Sequence, residues 1–145
     1  MIFKGTATAL VTPFTEDDGV DVSALERIVE YQIENGVDAL VALGTTGEPA
    51  TMSKREKELV LKTVVKKAKG TLPIIVGAGS NDTKTAIENC AFAQDNGADA
   101  LLIVTPYYNK CTQEGLIAHY CKIADAVSCP LIVYSVPGRT GVDVS

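Results

Sequence analysis

The sequence predicts an α/β fold with a parallel sheet: the first five strands and four helices of a (β/α)8, or TIM, barrel. Three observations carry that expectation. Short apolar runs alternate with longer segments of helical periodicity, in the order β-α-β-α-β-α-β-α-β. The short runs are apolar at consecutive positions, the pattern of strands covered on both faces. The first turn after a strand, Thr12-Pro13-Phe14-Thr15-Glu16, lacks the glycines of a dinucleotide-binding turn, and the chain has no phosphate-loop motif. A barrel therefore fits better than an open doubly wound sheet. A whole barrel takes about 250 residues. The 145 residues here correspond to the N-terminal portion of one such domain, residues 1–145, with the C-terminal strands missing.

Each element has its own signal. Residues 6–14 read as a strand ended by Pro13. Residues 23–35 read as a helix, with Leu25, Ile28, Val29 and Ile33 at helical spacing, a capping box from Ser23 and Glu26, and a stop at Gly36. Residues 38–43 form the second strand. Ser53 and Glu56 open the next helix as a second capping box; Leu59, Val60, Thr63, Val64 and Ala68 share one side, and Gly70 ends it. Strands follow at 73–78, 99–105 and 130–136, separated by helices at 82–96 and 112–127. Asn35-Gly36-Val37-Asp38-Ala39-Leu40 returns 61 residues later as Asn96-Gly97-Ala98-Asp99-Ala100-Leu101. Each copy reads as the same device: helix stop, tight turn, strand start. No linker or low-complexity segment divides the chain.

Composition narrows the class of function. A net charge of −5 disfavours a nucleic-acid or anionic-membrane partner. The apolar runs are too short to span a bilayer, and the N-terminal residues show no basic segment leading into an apolar one, so no signal peptide is read. Cys90, Cys111, Cys121 and Cys129 lack C-x-x-C spacing and have only His119 to join them, which argues against zinc and for reduced thiols in a cytoplasmic protein.

In parallel α/β folds, chemistry sits at the C-terminal ends of the strands. Those ends are Thr12; Gly44-Thr45-Thr46-Gly47-Glu48; Gly77-Ala78-Gly79-Ser80-Asn81; Thr105-Pro106-Tyr107-Tyr108-Asn109; and Tyr134-Ser135-Val136-Pro137-Gly138-Arg139-Thr140-Gly141. The Gly44–Gly47 turn can offer N–H groups and two hydroxyls to a small carboxylate, or it is a plain turn with threonine as turn-former. Tyr134 can transfer protons or simply pack. Glu48 can act as a base or cap the next helix. Tyr107 and Tyr108 read as a loop anchor or an interface patch. Arg139 suits bidentate carboxylate binding, or a surface ion pair. Together these ends describe a site for a small anionic carbonyl compound, with no metal and no nucleotide.

These motifs resemble the signatures of the dihydrodipicolinate synthase family, within the superfamily of pyruvate-dependent class I aldolases that includes N-acetylneuraminate lyase. The resemblance runs from Phe3-Lys4-Gly5 through Gly141. Gly44-Thr45-Thr46-Gly47-Glu48 marks the superfamily, and the segment from Tyr134 to Gly141, with its arginine, is the more specific part. The resemblance implies a lyase of lysine and diaminopimelate biosynthesis. In it a lysine forms a Schiff base with pyruvate, and the product attacks aspartate-4-semialdehyde. By matching position, Thr45, Tyr108 and Tyr134 are the catalytic proton relay, with Tyr108 reaching in from a neighbouring subunit of a homotetramer. Thr46 holds the pyruvate carboxylate and Arg139 that of the second substrate. Gly77 and Gly79 are structural.

Two departures stand out. Ser135 replaces a common asparagine, with little effect expected. The Schiff-base lysine of the family lies on the sixth strand, beyond Ser145. None of the ten lysines here ends a strand in an apolar pocket, and only Lys110 lies near the catalytic face. The chain alone is therefore expected to be inactive, with no cofactor beyond that absent lysine. The resemblance also implies an effector site for lysine at Ala50, Lys54, Lys57, Asn81, Thr85 and Tyr107. Lys54 and Lys57 add positive charge, and Thr85 stands where an acidic residue would attract the effector, so weak or absent lysine inhibition is expected. The rival readings are another pyruvate-dependent aldolase, for neuraminate or keto-deoxy sugar acids, and a non-catalytic half-barrel that serves as an assembly partner.

Overall fold

The computed structural model describes residues 2–145; Met1, the first residue of the N-terminal stretch read above, lies outside them. Five strands form one sheet: β1 (Ala7–Ala9), β2 (Ala39–Ala42), β3 (Ile74–Gly77), β4 (Ala100–Val104) and β5 (Leu131–Tyr134). All adjacent pairs are parallel, and the order is β1-β2-β3-β4-β5. That order never reverses. A doubly wound sheet must reverse at a switch point, so the sequential order belongs to a barrel wall. Helices α1 (Val22–Glu34), α2 (Lys54–Ala68), α3 (Thr83–Asp95) and α4 (Gln113–Ala126) connect the strands. The four helices and five strands fall where the periodicity puts them, with ends trimmed by a few residues; β1 shortens most.

The alternation of side chains across the strands makes two apolar layers. On the outward face Leu40, Ile74, Val76, Leu101 and Ile103 pack under Leu25, Val29, Leu61, Val64 and Ile123 of the helices. Each such fully buried side chain contributes about 2 kcal/mol by leaving water. On the inward face Ala39, Val41, Ile75 and Ala100 form a thinner layer with Phe3, Leu102 and Ile132. Small residues suit that face, where strands converge on the barrel axis.

The N-terminal cap of α1 differs from expectation. Ser23 lies inside the helix, and Asp21 is the cap, its Oδ1 accepting from the Ala24 amide at 2.8 Å. A carboxylate satisfies an orphan amide and also favours the positive end of the helix dipole, so it outcompetes the serine two residues on. Glu26, freed from the box, instead faces α2, where Lys66 and Lys67 approach at 3.7 and 3.9 Å. The Ser53–Glu56 box is complete: the Ser53 amide donates to Glu56 Oε2 at 2.7 Å, and the Glu56 amide donates to Ser53 Oγ at 3.3 Å.

The repeated Asn-Gly-x-Asp-Ala-Leu segment does more than stop a helix. Gly36 and Gly97 take the left-handed conformation (φ 73° and 98°) that ends α1 and α3. Two residues on, each aspartate reaches sideways to the neighbouring strand. Asp38 Oδ2 accepts from the Thr6 amide at 2.7 Å, and Asp99 Oδ2 accepts from the Ile74 amide at 2.9 Å. The repeat is a register pin, used once between β1 and β2 and again between β3 and β4.

One element was not anticipated. After β5 the chain makes a single helical turn, α5 (Pro137–Thr140), closed by left-handed Gly141. The segment Pro-Gly-Arg-Thr reads as a turn because a lone helical turn has no periodicity to detect. No helix among the described residues is long and apolar enough to cross a membrane.

Candidate active site

The strand ends of β2 to β5 open on a cavity of about 670 Å³. Thr45, Glu48, Tyr107, Tyr134, Arg139 and Thr140 are among its lining residues. Each arrives by a different route. Thr45 and Thr46 sit on a 3-10 turn (Thr45–Gly47) that continues β2. Its position is fixed by the segment that follows β1, since the buried Thr12 hydroxyl donates to the Gly47 carbonyl at 2.8 Å. Leu43, the first residue after β2, has φ 55°, and its carbonyl turns against β3. A Cβ at Gly77 would lie 2.2 Å from that oxygen, so only glycine allows the approach. Gly77 is structural, as the sequence implied.

Tyr134 ends β5, in register with Val104, and its half-buried ring faces the cavity. Arg139 sits in the last turn of α5, exposed, and pairs with no carboxylate among the described residues. An arginine held at a cavity mouth with all five donors open is ready for an anionic ligand. Glu48 adopts φ 54° between two 3-10 turns; its carbonyl, not its carboxylate, accepts from Thr51 Oγ1 at 2.9 Å. Its side chain caps nothing there.

The remaining residues named from sequence divide. Ala50, Lys57, Thr85 and Tyr107 line the same cavity as Thr45 and Tyr134. Thr85 is committed to the cap of α3: its amide and hydroxyl both donate to Asp82 Oδ2, at 2.8 and 2.5 Å, and the hydroxyl holds the Asp82 carboxyl below its ordinary pKa. Asn81 is outside the lining; its carbonyl accepts from Asn109 Nδ2 at 3.1 Å and so ties the β3 and β4 loops together. Lys54 is exposed at the start of α2. Thr46 is exposed beside the cavity without lining it.

Tyr108 stands apart. It is 92% exposed, with φ 69°, a conformation that costs a bulky residue about 1–2 kcal/mol. It is outside the lining of the chain's own cavity and faces solvent.

Sequence reasoning placed Thr105 and Thr140 at strand ends but gave them no role. Both are buried, and they bond to each other across 35 positions of sequence. Only the pairing of two hydroxyls could have signalled them, and a linear sequence does not display pairing. Ser135 has a defined partner too, donating to Asp143 Oδ1 at 2.9 Å. Lys110 is exposed, its stem laid over Gly141, and it is outside the cavity lining. The lysine that lines the cavity is Lys57, brought there by α2, so Lys110 is not alone near the catalytic face as the sequence suggested.

Comparison with known proteins identifies the family and the fold. The family model for the dihydrodipicolinate synthetase family matches residues 2–145. The 4-hydroxy-tetrahydrodipicolinate synthase of Geotalea uraniireducens is 53% identical over 143 residues, which are 99% of this chain and 49% of that protein. The chloride-inhibited dihydrodipicolinate synthase of Acinetobacter baumannii, solved with pyruvate, superposes with a TM-score of 0.97 at 54% identity, covering all of this chain and 50% of that one. A monomeric dihydrodipicolinate synthase variant superposes with a TM-score of 0.96 at 47% identity, over 99% of this chain and 47% of its own. The chain thus spans about half the length of the relatives it matches. By fold, strand-end motifs and similarity along its length, the chain belongs to the dihydrodipicolinate synthetase family.

Proposed function

We propose that this chain is the N-terminal half of a 4-hydroxy-tetrahydrodipicolinate synthase, which condenses pyruvate with aspartate-4-semialdehyde on the route through diaminopimelate to lysine. The observation that carries the reading is the convergence of Thr45, Tyr134 and an unpaired Arg139 on one cavity at the strand ends. In the proposed reaction a lysine amine beyond Ser145 condenses with the pyruvate carbonyl and water leaves. Loss of a methyl proton then gives a carbon nucleophile for the aldehyde. Each step moves a proton, and Tyr134 is the group placed to give and take it, with Thr45 and Tyr108 completing the relay. Thr46 holds the pyruvate carboxylate. Arg139 binds the carboxylate of the semialdehyde as a fork. No metal or organic cofactor takes part.

The exposure and strain of Tyr108 support the tetrameric part of the reading. A strained, solvent-facing tyrosine fits a residue that serves a neighbouring subunit's site rather than its own. The similarity to a monomeric variant indicates that assembly varies among relatives.

Pyruvate trapping tests the reading. The protein bearing this sequence is incubated with pyruvate, reduced with borohydride and mapped by peptide mass. The expected adduct lies on a lysine outside residues 1–145. An adduct on Lys110 would defeat the proposed division of labour between the two halves. Turnover of N-acetylneuraminate in place of aspartate-4-semialdehyde would move the protein to the rival aldolase class.

A further inference from the structure

Resting on that reading, we infer that Thr140 and Thr105 are positioning residues for Arg139, and that their buried hydroxyl pair sets the enzyme's affinity for the carboxylate of its second substrate. Arg139 sits on α5, a single helical turn. One turn fixes several dihedrals for very few hydrogen bonds and does not hold itself in water. Something else must fix the backbone under the arginine.

The structure supplies it next door. Thr140 is 5% exposed and Thr105 is fully buried. Thr105 Oγ1 donates to Thr140 Oγ1 at 3.0 Å, and Thr140 Oγ1 donates on to the Val142 carbonyl at 3.0 Å. The Val142 amide returns to Thr140 Oγ1 at 3.3 Å. Thr105 directly follows β4, whose Leu101 and Ile103 are fully buried in the core. Its own amide donates to the Tyr134 carbonyl at 3.1 Å, continuing the ladder with β5. The hydroxyl chain therefore ties α5 to the buried end of β4. Left-handed Gly141 (φ 70°) lets the backbone turn back over Thr140, under the Lys110 stem.

The same anchor reaches a second loop. Thr105 opens the segment that carries Tyr107 and Tyr108, so the arginine and the tyrosine loop share one foundation. A bidentate arginine contact tolerates little angular error. Loosening the anchor weakens that contact while leaving the pyruvate end, held by the Thr45–Gly47 turn, untouched.

The test is steady-state kinetics of the full-length protein with Thr140→Val, Thr105→Val and Thr140→Ser. Valine keeps the β-branched shape and deletes the hydroxyl; serine keeps the hydroxyl. Both valine variants are expected to raise the KM for aspartate-4-semialdehyde about tenfold, with the pyruvate KM within about twofold of the parent. The kcat should hold within about twofold in Thr140→Val and fall further in Thr105→Val, whose loop carries Tyr108. Thr140→Ser should recover most of the loss. Amide hydrogen exchange at residues 139–142 should quicken in the valine variants. An unchanged semialdehyde KM, or an equal rise in both KM values, overturns the inference. If the parent turns over nothing, the functional reading falls instead. The exchange result then decides the anchor alone, and unchanged exchange overturns it.

Discussion

The two ends of the strands spend backbone strain differently. At the end where strands begin, left-handed positions are glycines: Gly5, Gly36, Gly70 and Gly97. At the end where strands finish, left-handed positions are Asp18, Leu43, Glu48 and Tyr108, with Gly141 the one glycine. Glycine takes that conformation freely and aspartate readily enough, whereas Leu43, Glu48 and Tyr108 are each held there at a cost of about 1–2 kcal/mol. The strand-start end is thus relaxed and pinned, by Asp38 and Asp99 among others. The strand-finish end stores strain where the cavity opens. The division matches the general one in barrels, where the lower face gives stability and the upper face carries chemistry.

The largest effect that sharpens this comparison is on the pinned end. Asp99→Ala removes the acceptor of the Ile74 amide and the ion pair with Lys69 at 2.7 Å. Ile74 is fully buried, so its amide loses its side-chain partner out of reach of water. The expected cost is about 2 kcal/mol, read as a lower denaturation midpoint. Asp38→Ala removes the matching pin, but Thr6 is exposed and water can replace the carboxylate. Its cost should stay under about 1 kcal/mol. Equal losses in the two variants would show that burial of the pinned amide does not set the value of the pin.

Much of the pinned end was legible from sequence, and less of the cavity end. The Asn-Gly-x-Asp-Ala-Leu repeat announces itself twice as a helix stop and strand start, because that part of the device is local. The hold of its aspartates on the Thr6 and Ile74 amides is long-range and has no local pattern. The Ser53 box reads correctly because it too is local. The Ser23 box misleads because Asp21 offers a stronger cap within two residues, and sequence cannot rank competing caps by geometry. The cavity residues Thr45, Tyr134 and Arg139 stand out once strand ends are located. The links that hold them, Thr12 to Gly47 and Thr105 to Thr140, each span 35 positions and have no local pattern. The left-handed backbone of Tyr108 is equally silent, since nothing in Pro-Tyr-Tyr-Asn demands it.

A smaller effect runs the other way at the strained end. Tyr108→Gly removes a ring that is 92% exposed and relieves a left-handed tyrosine. Glycine's greater freedom in the unfolded chain offsets part of the gain. A rise in stability of up to about 1 kcal/mol is expected in the isolated chain, with a loss of activity in the full-length protein if Tyr108 serves the proposed relay. A stability loss of similar size would mean that the strain is not real and that the two ends of the strands do not differ in this way.

The smallest effect concerns a buried base between α3 and α4. His119 Nδ1 lies 2.9 Å from Thr83 Oγ1, and its Nε2 is buried with no partner among the described residues. Its ring meets Tyr120 edge-on at 5.5 Å. Burial pushes its pKa below the ordinary 6.5, against a weaker upward pull from Asp82. The native state therefore refuses a proton that the unfolded chain accepts. Stability contributed by the neutral ring is complete above pH 6.5 and falls as the pH drops below it, levelling off once the folded-state value is passed. His119→Gln keeps a polar group near Thr83 but does not titrate. Between pH 7.5 and pH 5 the parent should lose more stability than this variant, as read by urea midpoints. Carboxylates remote from His119 shift both proteins alike, so the difference isolates the imidazole together with its coupling to Asp82. Parallel acid curves would mean that the ring is solvated in the folded protein, and that the helix layer admits water as readily as the rim of the cavity does.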